Sequence, residues 1–290
     1  MKKPAIPKVG VEVTDDELYV SKDGVGAWSL EKYRLVAYYQ EIMSVGMLGK
    51  WKTAYVELFS GPGRVRLRKN NALIESSPIL SLDLVHPFDR YIYCDADARV
   101  IDALGKRIKV KRPSANVEII TGDVNASVGA VVNAIPKRHL SLCFLDPYDL
   151  GLHFATVKTL ARERPPIDFI ILLALVMDAK RNLSYYFDPG SSKVELFLGD
   201  PDWRAVWIRF VRKSGETENG AFVRFLAEKY VEQMRALGYP GTELTDLAPI
   251  KSDERNIPYY YLAYFSADKV GLKFWRQARK YASQEGGLFD

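Results

Sequence analysis

The feature of this sequence that most restricts its fold is a regular alternation of short apolar runs with segments of helical periodicity. Strands buried on both faces give continuous apolar runs, whereas helices repeat their apolar positions every three or four residues. Strands and helices in alternation predict a parallel sheet covered by helices on both faces. The five predicted strands are Thr53–Phe59, Arg90–Asp95, Asn116–Thr121, Leu140–Leu145 and Asp168–Ala174.

Helical patterns precede and separate these strands. In the first of them, Ser29 is a plausible N-cap and Glu31 places a negative charge in the first turn. The segment before Gly26 is interrupted by Pro and Gly, which predicts irregular structure that wraps around the domain. The predicted helices are Trp28–Met47, Pro78–Val85, Ala98–Ile108, Ser127–Ile135 and Phe154–Arg162.

The alternation stops at residues 175–219, an insertion rich in aromatic and charged side chains, and then resumes. A polar turn at Ser252–Asn256 is short, so the strands on either side of it are expected to form an antiparallel hairpin. We therefore predict a single domain over residues 1–290, with a Rossmann-like class I methyltransferase fold: a mostly parallel seven-stranded sheet with a C-terminal antiparallel hairpin. The late elements are helix Gly220–Leu237, strands Thr242–Ile250 and Pro258–Ser266, and helix Ala267–Ser283.

The strongest local motif is Tyr55–Gly63, a buried strand that runs into a glycine-containing turn. Glycine there lets the backbone approach a ligand closely. The motif resembles the first motif of class I methyltransferases, whose loop holds the methionine part of S-adenosylmethionine. A tight turn without a ligand is the alternative. The resemblance implies donor contacts by Glu57, Phe59, Ser60, Gly61 and Gly63.

Acidic residues also follow the next two predicted strands. Asp95 ends the second strand, where a carboxylate can accept hydrogen bonds from both hydroxyls of a ribose. Asp97 follows two residues later, and capping of the next helix is the alternative role for its side chain. Asp123 follows the third strand, where it is expected to bind an adenine amino group while Val124 packs on the ring. A helix N-cap is the alternative for Asp123.

The fourth strand ends in Asp146-Pro147-Tyr148. This resembles the Asp/Asn-Pro-Pro-Tyr/Phe motif of amino-methyltransferases that act on nucleobases, with one proline missing. The resemblance implies that Asp146 accepts hydrogen bonds from the target amine and that Tyr148 stacks on the base. A solvated Asp146 and a packing role for Tyr148 are the alternatives.

Two stretches are basic. Arg64, Arg66 and Arg68 alternate with apolar residues after the glycine turn, a pattern that suits contacts to the phosphates of a nucleic-acid substrate, and a solvated loop is the alternative. In the insertion, Trp203 and Trp207 are one helical turn apart among basic residues. This mix suits stacking on bases or contact with a protein partner, and a buried helix face is the alternative for the two tryptophans.

Read together, these segments resemble the three-Cys-motif partner protein family over nearly the whole chain. The resemblance implies a methyltransferase-like fold and a separate partner protein that carries three cysteines, and it implies no catalytic residues. The residues that carry it are Val25–Ser29 with Lys32, Glu57–Arg64, Ser77-Pro78, Tyr93–Asp97, Gly122-Asp123, Phe144–Leu150, Arg181–Leu183 and Gly271–Trp275.

Composition narrows the function further. A net charge of +5 slightly favours a polyanionic partner, and only two cysteines, both in apolar runs, predict a reducing, cytoplasmic setting. No metal site, targeting segment or membrane span is expected. The leading hypothesis is an S-adenosylmethionine-dependent methyltransferase, with DNA or RNA as a candidate acceptor. The second is a non-catalytic methyltransferase-like interaction module for a three-cysteine partner protein.

Overall fold

The computed structural model describes residues 5–215, 219–251 and 258–285. The side chains of residues 177–181, 219, 284 and 285 are not part of this description. The predicted turn Ser252–Asn256 lies outside the described residues.

The described strands form a seven-stranded sheet and a separate two-stranded hairpin. The bounds of the sheet strands agree with the predicted strands to within a few residues, except that the strand predicted to begin at Thr242 begins at Ala248. The strands are β1 Lys52–Leu58, β2 Arg64–Arg66, β3 Leu73–Glu75, β4 Arg90–Asp95, β5 Val117–Thr121, β6 His139–Leu145, β7 Ile167–Leu173, β8 Ala248–Lys251 and β9 Pro258–Phe265.

The strand order of the large sheet is β5-β4-β1-β6-β7-β9-β8. Strands β1, β4, β5, β6 and β7 run parallel to one another, while β9 is antiparallel to both β7 and β8. The predicted fold class is confirmed: a mostly parallel seven-stranded sheet whose last two strands form the antiparallel pair. Because β1 lies between β4 and β6, the ends of these three strands meet at one edge of the sheet.

Helices cover both faces of the sheet, and three of them lie in the insertion. The helix predicted at Pro78–Val85 is shorter, because the Ser81 hydroxyl donates to the Pro78 carbonyl and the chain is extended at Leu84. The helices are α1 Trp28–Met47, α2 Ser77–Leu80, α3 Ala98–Lys111, α4 Val128–Ala134, α5 Phe154–Glu163, α6 Leu175–Phe187, α7 Lys193–Leu198, α8 Trp203–Ser214, α9 Asn219–Ala236 and α10 Lys269–Glu285.

The late start of β8 has a local cause. Residues Leu244–Asp246 form a 3-10 turn, which is closed by reciprocal hydrogen bonds between Glu243 and Asp246. The indole of Trp275 on α10 donates to the Asp246 carbonyl at 2.9 Å. A capped turn anchored in this way replaces the first residues of the predicted strand.

The hairpin β2–β3 was not predicted, since the sequence indicated a basic loop there. The N-terminal segment, which is irregular as predicted, pairs with both edges of this hairpin: Val25 bridges Leu67 and Glu12 bridges Ile74. The segment is therefore part of the structure that holds the hairpin in place.

The core forms two apolar clusters, one on each face of the sheet. Along β1, Val56 belongs to one cluster and Tyr55 to the other, as the alternation of side chains in a strand requires. Trp203 of the insertion is fully buried in the same cluster as Val56 and packs against Phe187 and Phe222. Among the described helices, none combines the length and apolar character that a membrane span requires.

Candidate active site

A cavity of about 520 Å³ opens at the sheet edge where β1 and β6 end. This volume lies in the range of small-molecule sites. The first turns of α1 and the hairpin β2–β3 supply further walls, and single residues of α6, β7, β8 and β9 complete the lining. Six of the residues predicted as site residues line it: Phe59, Ser60, Gly61, Arg68, Asp146 and Tyr148.

The glycine turn after β1 has an unusual backbone. Phe59 has φ 63°, a left-handed conformation that costs a side-chain-bearing residue free energy and concentrates at functional sites. Gly61 and Gly63 also have positive φ. A Cβ on Gly61 would meet open space, whereas one on Gly63 would lie 2.8 Å from Ile79 Cγ1. Gly61 therefore leaves the cavity open, and Gly63 permits close packing.

Asp95 holds the glycine turn from the neighbouring strand. Its carboxylate accepts a hydrogen bond from the Gly61 N–H at 2.9 Å and one from the Asp97 N–H at 3.3 Å. Asp97 caps α3, since its side chain accepts from the Arg99 N–H. Asp95 thus lies beside the glycine turn, and its predicted contact with a ribose stays a prediction.

Asp123 and Val124 lie further along the same edge. The Asp123 carboxylate accepts from the Ala126 N–H at 2.9 Å, and Val124 is buried. Burial, together with the nearby charges of Asp95 and Asp123, raises the pKa of the Cys94 thiol to about 12. Neither Asp95 nor Asp123 lines the cavity, and neither does Val124.

Glu57 lies beneath the cavity and does not line it. Its side chain is fully buried and accepts hydrogen bonds from the Ser77 hydroxyl at 2.6 Å and the Tyr55 hydroxyl at 2.8 Å. Burial, and to a smaller extent the nearby charge of Asp146, raises the pKa of Glu57, while the two hydrogen bonds lower it; the net result is a pKa of about 8. The carboxyl group is therefore mostly protonated at neutral pH.

Asp146 forms an ion pair that sequence reasoning missed. Its Oδ2 lies 2.5 Å from Lys32 Nζ, and the two side chains are only 14% and 12% exposed. Lys32 is four residues after Trp28 on α1, so both lie on the helix face that lines the cavity. In the sequence, Lys32 was noted only as part of the Trp28 segment that resembles the three-Cys-motif partner family. Nothing in that segment assigned a chemical role to Lys32.

The mouth of the cavity is aromatic. Tyr148 is 84% exposed. Trp28 contacts the edge of Tyr259, with ring centroids 5.2 Å apart, and the Arg68 guanidinium lies 5.7 Å from the Trp28 ring. A planar group entering the cavity would therefore meet exposed ring surface.

The three arginines of the basic stretch have different surroundings. Arg64 pairs with Asp16 at 3.0 Å and Arg66 pairs with Asp15 at 3.2 Å, both in the N-terminal segment. Arg68 donates to the Asp23 carbonyl, and among the described residues no carboxylate pairs with it. Of the three, only Arg68 lines the cavity.

Arg107 is a further residue that the sequence did not single out. Its guanidinium binds both carboxylate oxygens of Asp16 and donates to the Pro62 carbonyl at 2.6 Å. Pro62 belongs to the glycine turn, so this buried cation links that turn to the N-terminal segment.

Cys94 and Cys143 are buried free thiols. Within the described residues, no group of three or more His, Cys, Asp or Glu side chains is arranged to hold a metal ion.

No family model and no curated protein matches this chain. Several solved structures resemble it in shape. Protein LPL1258 from Legionella pneumophila matches at 10% identity over 88% of this chain and 92% of its own, with a TM-score of 0.48. An O-methyltransferase from Bacillus cereus, solved with S-adenosylhomocysteine, matches at 12% identity over 81% and 79%, with a TM-score of 0.42.

Magnesium protoporphyrin IX methyltransferase from Synechocystis, also solved with S-adenosylhomocysteine, matches at 11% identity over 82% of this chain and 84% of its own, with a TM-score of 0.43. These identities and TM-scores are low, so the fold assignment rests on the strand order of this chain and not on the similar structures. The resemblance to the three-Cys-motif partner family stays a prediction.

Proposed function

We propose that this chain is an S-adenosylmethionine-dependent methyltransferase that acts on an amine. The observation that carries the proposal is that the glycine turn and Asp146 line one cavity. A donor-binding loop and an amine-binding carboxylate must face the same space if a methyl group is to pass between two bound molecules.

The glycine turn fits one part of the donor. The open space at Gly61 on the cavity wall suits the methionine part. Asp95 is the proposed ribose contact, and Asp123 and Val124 are the proposed adenine contacts. None of the three lines the cavity, so the adenosyl part would have to extend beyond it along the same sheet edge. When bound, S-adenosylmethionine supplies a methyl group activated by its sulfonium.

Asp146 is the proposed catalytic residue for the acceptor. A carboxylate oxygen accepts the N–H of the acceptor amine and orients the nitrogen lone pair toward the methyl carbon. The N–C bond forms as the C–S bond breaks, S-adenosylhomocysteine leaves, and the amine proton passes to Asp146 or solvent. Tyr148 offers an exposed ring on which a planar acceptor can stack.

Nucleic acid is the proposed acceptor class. Arg68 beside the Trp28 ring supports this, because a guanidinium at the cavity mouth suits a phosphate next to a stacked base. Arg64 and Arg66 are engaged with Asp16 and Asp15, so we assign the phosphate contact first to Arg68.

Two measurements test the proposal. Isothermal calorimetry with S-adenosylmethionine is expected to show binding at one site. Incubation with donor carrying a tritiated methyl group, together with short DNA and RNA oligonucleotides, is expected to label at least one of the two. Absence of donor binding would refute the proposal, and label on added protein alone would refute the acceptor class.

The second candidate function, an interaction module, is favoured by one surface. On α8, Ile208 is 50% exposed, Arg212 lies one turn further along the same face, and Arg209 and Lys213 are exposed on the neighbouring side of the helix. Such a basic and apolar face suits a partner protein. Donor binding without any methyl transfer, together with a partner that Ile208→Asp releases, would favour this function over catalysis.

A further inference from the structure

The Lys32–Asp146 pair is a built part of the cavity. The ammonium lies 2.5 Å from Asp146 Oδ2 and 5.1 Å from the centroid of the Tyr33 ring, which is itself buried. Both charged side chains are largely removed from solvent, so the geometry is not that of a loose surface pair. An ammonium enclosed by a ring face and a carboxylate has little freedom to move.

Only one oxygen of the carboxylate takes part in this pair. Among the described residues, none donates a hydrogen bond to Asp146 Oδ1, while the Asp146 backbone N–H is tied to the Leu58 carbonyl at the end of β1. With the backbone and Oδ2 both fixed, the remaining oxygen has a fixed place as well. That oxygen is the acceptor available to a substrate N–H.

We propose that Lys32 is the positioning residue of the active site: it holds Asp146 through Oδ2 and leaves Oδ1 for the amine of the methyl acceptor. This inference rests on the proposed function. Lys32 acts through Asp146, and its ammonium takes no part in the bonds that form and break.

The inference predicts a specific kinetic signature. Without the ammonium, the carboxylate loses its fixed orientation, so the chemical step slows while both binding sites persist. Lys32→Met is expected to lower kcat for oligonucleotide methylation by about 100-fold, in the range of positioned proton acceptors. The Kd for S-adenosylmethionine and the KM for the oligonucleotide are expected to stay within about threefold.

Chemical rescue separates the charge from a merely structural role. Lys32→Cys would place a thiol on the cavity wall, which reagents reach through the cavity, whereas Cys94 and Cys143 are buried and burial raises the pKa of both native thiols. Alkylation with 2-bromoethylamine rebuilds a side chain of almost the same length that ends in an ammonium. It is expected to restore kcat at least about tenfold, whereas iodoacetamide, which adds a neutral group, is expected to restore nothing.

Each outcome has a distinct meaning. A wild-type protein that methylates oligonucleotides, with Lys32→Met or the iodoacetamide product equally active, would overturn the positioning role and leave the proposed function intact. Label on Lys32 itself, found by mass spectrometry of its peptide, would also overturn it, because Lys32 would then be an acceptor. A wild type that transfers no methyl group would overturn the proposed function, and this inference with it.

Discussion

Ser77 donates its hydroxyl to Glu57 Oε1 across 2.6 Å and so joins the start of α2 to the end of β1 beneath the cavity. The carboxyl that it contacts is fully buried, and burial raises its pKa from 4.5 to about 8. This pair gives the fold a dependence on pH whose sign follows from the two pKa values.

Between pH 4.5 and 8 the folded state keeps the Glu57 proton, while the unfolded chain has lost it. The stabilisation from this group is therefore complete below pH 4.5 and is lost as the pH rises toward 8. Glu57→Gln cannot titrate. From pH 5 to pH 8 the wild type is expected to lose about 3 kcal/mol more free energy of unfolding than the variant, as measured by urea denaturation. Equal losses would contradict the burial of this carboxyl.

Asp146 and Asp149 allow a matched test within one loop. Asp146→Ala removes the carboxylate that lines the cavity beside Lys32 and is expected to lower methyl transfer by about 100-fold with donor binding retained. Asp149 lines the same cavity, but it is 46% exposed and pairs with Lys193 rather than with Lys32, so Asp149→Ala is expected to lower the rate much less than Asp146→Ala. Labelled-methyl transfer measures both. Full activity in Asp146→Ala would remove its assigned role.

Arg66 forms an ion pair with a carboxylate, whereas among the described residues no carboxylate pairs with Arg68. If Arg68 contacts a phosphate, Arg68→Ala is expected to lower the slope of log K against log salt for oligonucleotide binding by about one. Arg66 pairs with Asp15, so Arg66→Ala is expected to leave that slope nearly unchanged. Fluorescence anisotropy at several salt concentrations gives both slopes, and identical slopes would refute the distinction.

Gly26 lies directly beneath Trp28. A Cβ there would come 1.8 Å from the Trp28 ring, so Gly26→Ala is expected to displace this cavity wall and weaken donor or acceptor binding at least about tenfold. In α4, a Cβ on Gly129 meets nothing within 4 Å, and Gly129→Ala is expected to stabilise the helix by up to about 1 kcal/mol. Calorimetry and thermal unfolding of both variants check this. Unchanged binding in Gly26→Ala would show that Trp28 is not a wall of the site.

The parallel sheet was predictable because its central strands are mostly apolar, as burial on both faces favours, even though β1 contains Glu57 and β7 contains Asp168. The hairpin β2–β3 was not, since its strands are three residues long and contain charged side chains. Its partners are also distant in sequence, at Val25 and Glu12, and a local pattern carries no information about such pairing.

In the candidate site, too, some residues could be predicted from the sequence and others could not. Asp146 stood out because it follows a strand and precedes Pro147 and Tyr148. Lys32 and Asp146 are 114 residues apart, and nothing in the helical pattern of α1 identifies the carboxylate that Lys32 meets. Arg107 was equally hidden, because a basic residue in an amphipathic helix ordinarily faces solvent, and here it is 5% exposed.

The helix α1 that carries Trp28 and Lys32 is held from behind by the last helix: Tyr39 contacts Trp275, with ring centroids 6.0 Å apart, and Tyr38 stacks on Tyr281. During synthesis, a chain that has left the ribosome only as far as β7 already contains the glycine turn and Asp146. It still lacks the helix that packs on α1 from behind, so in such a fragment the cavity wall formed by Trp28 and Lys32 is without one of its supports.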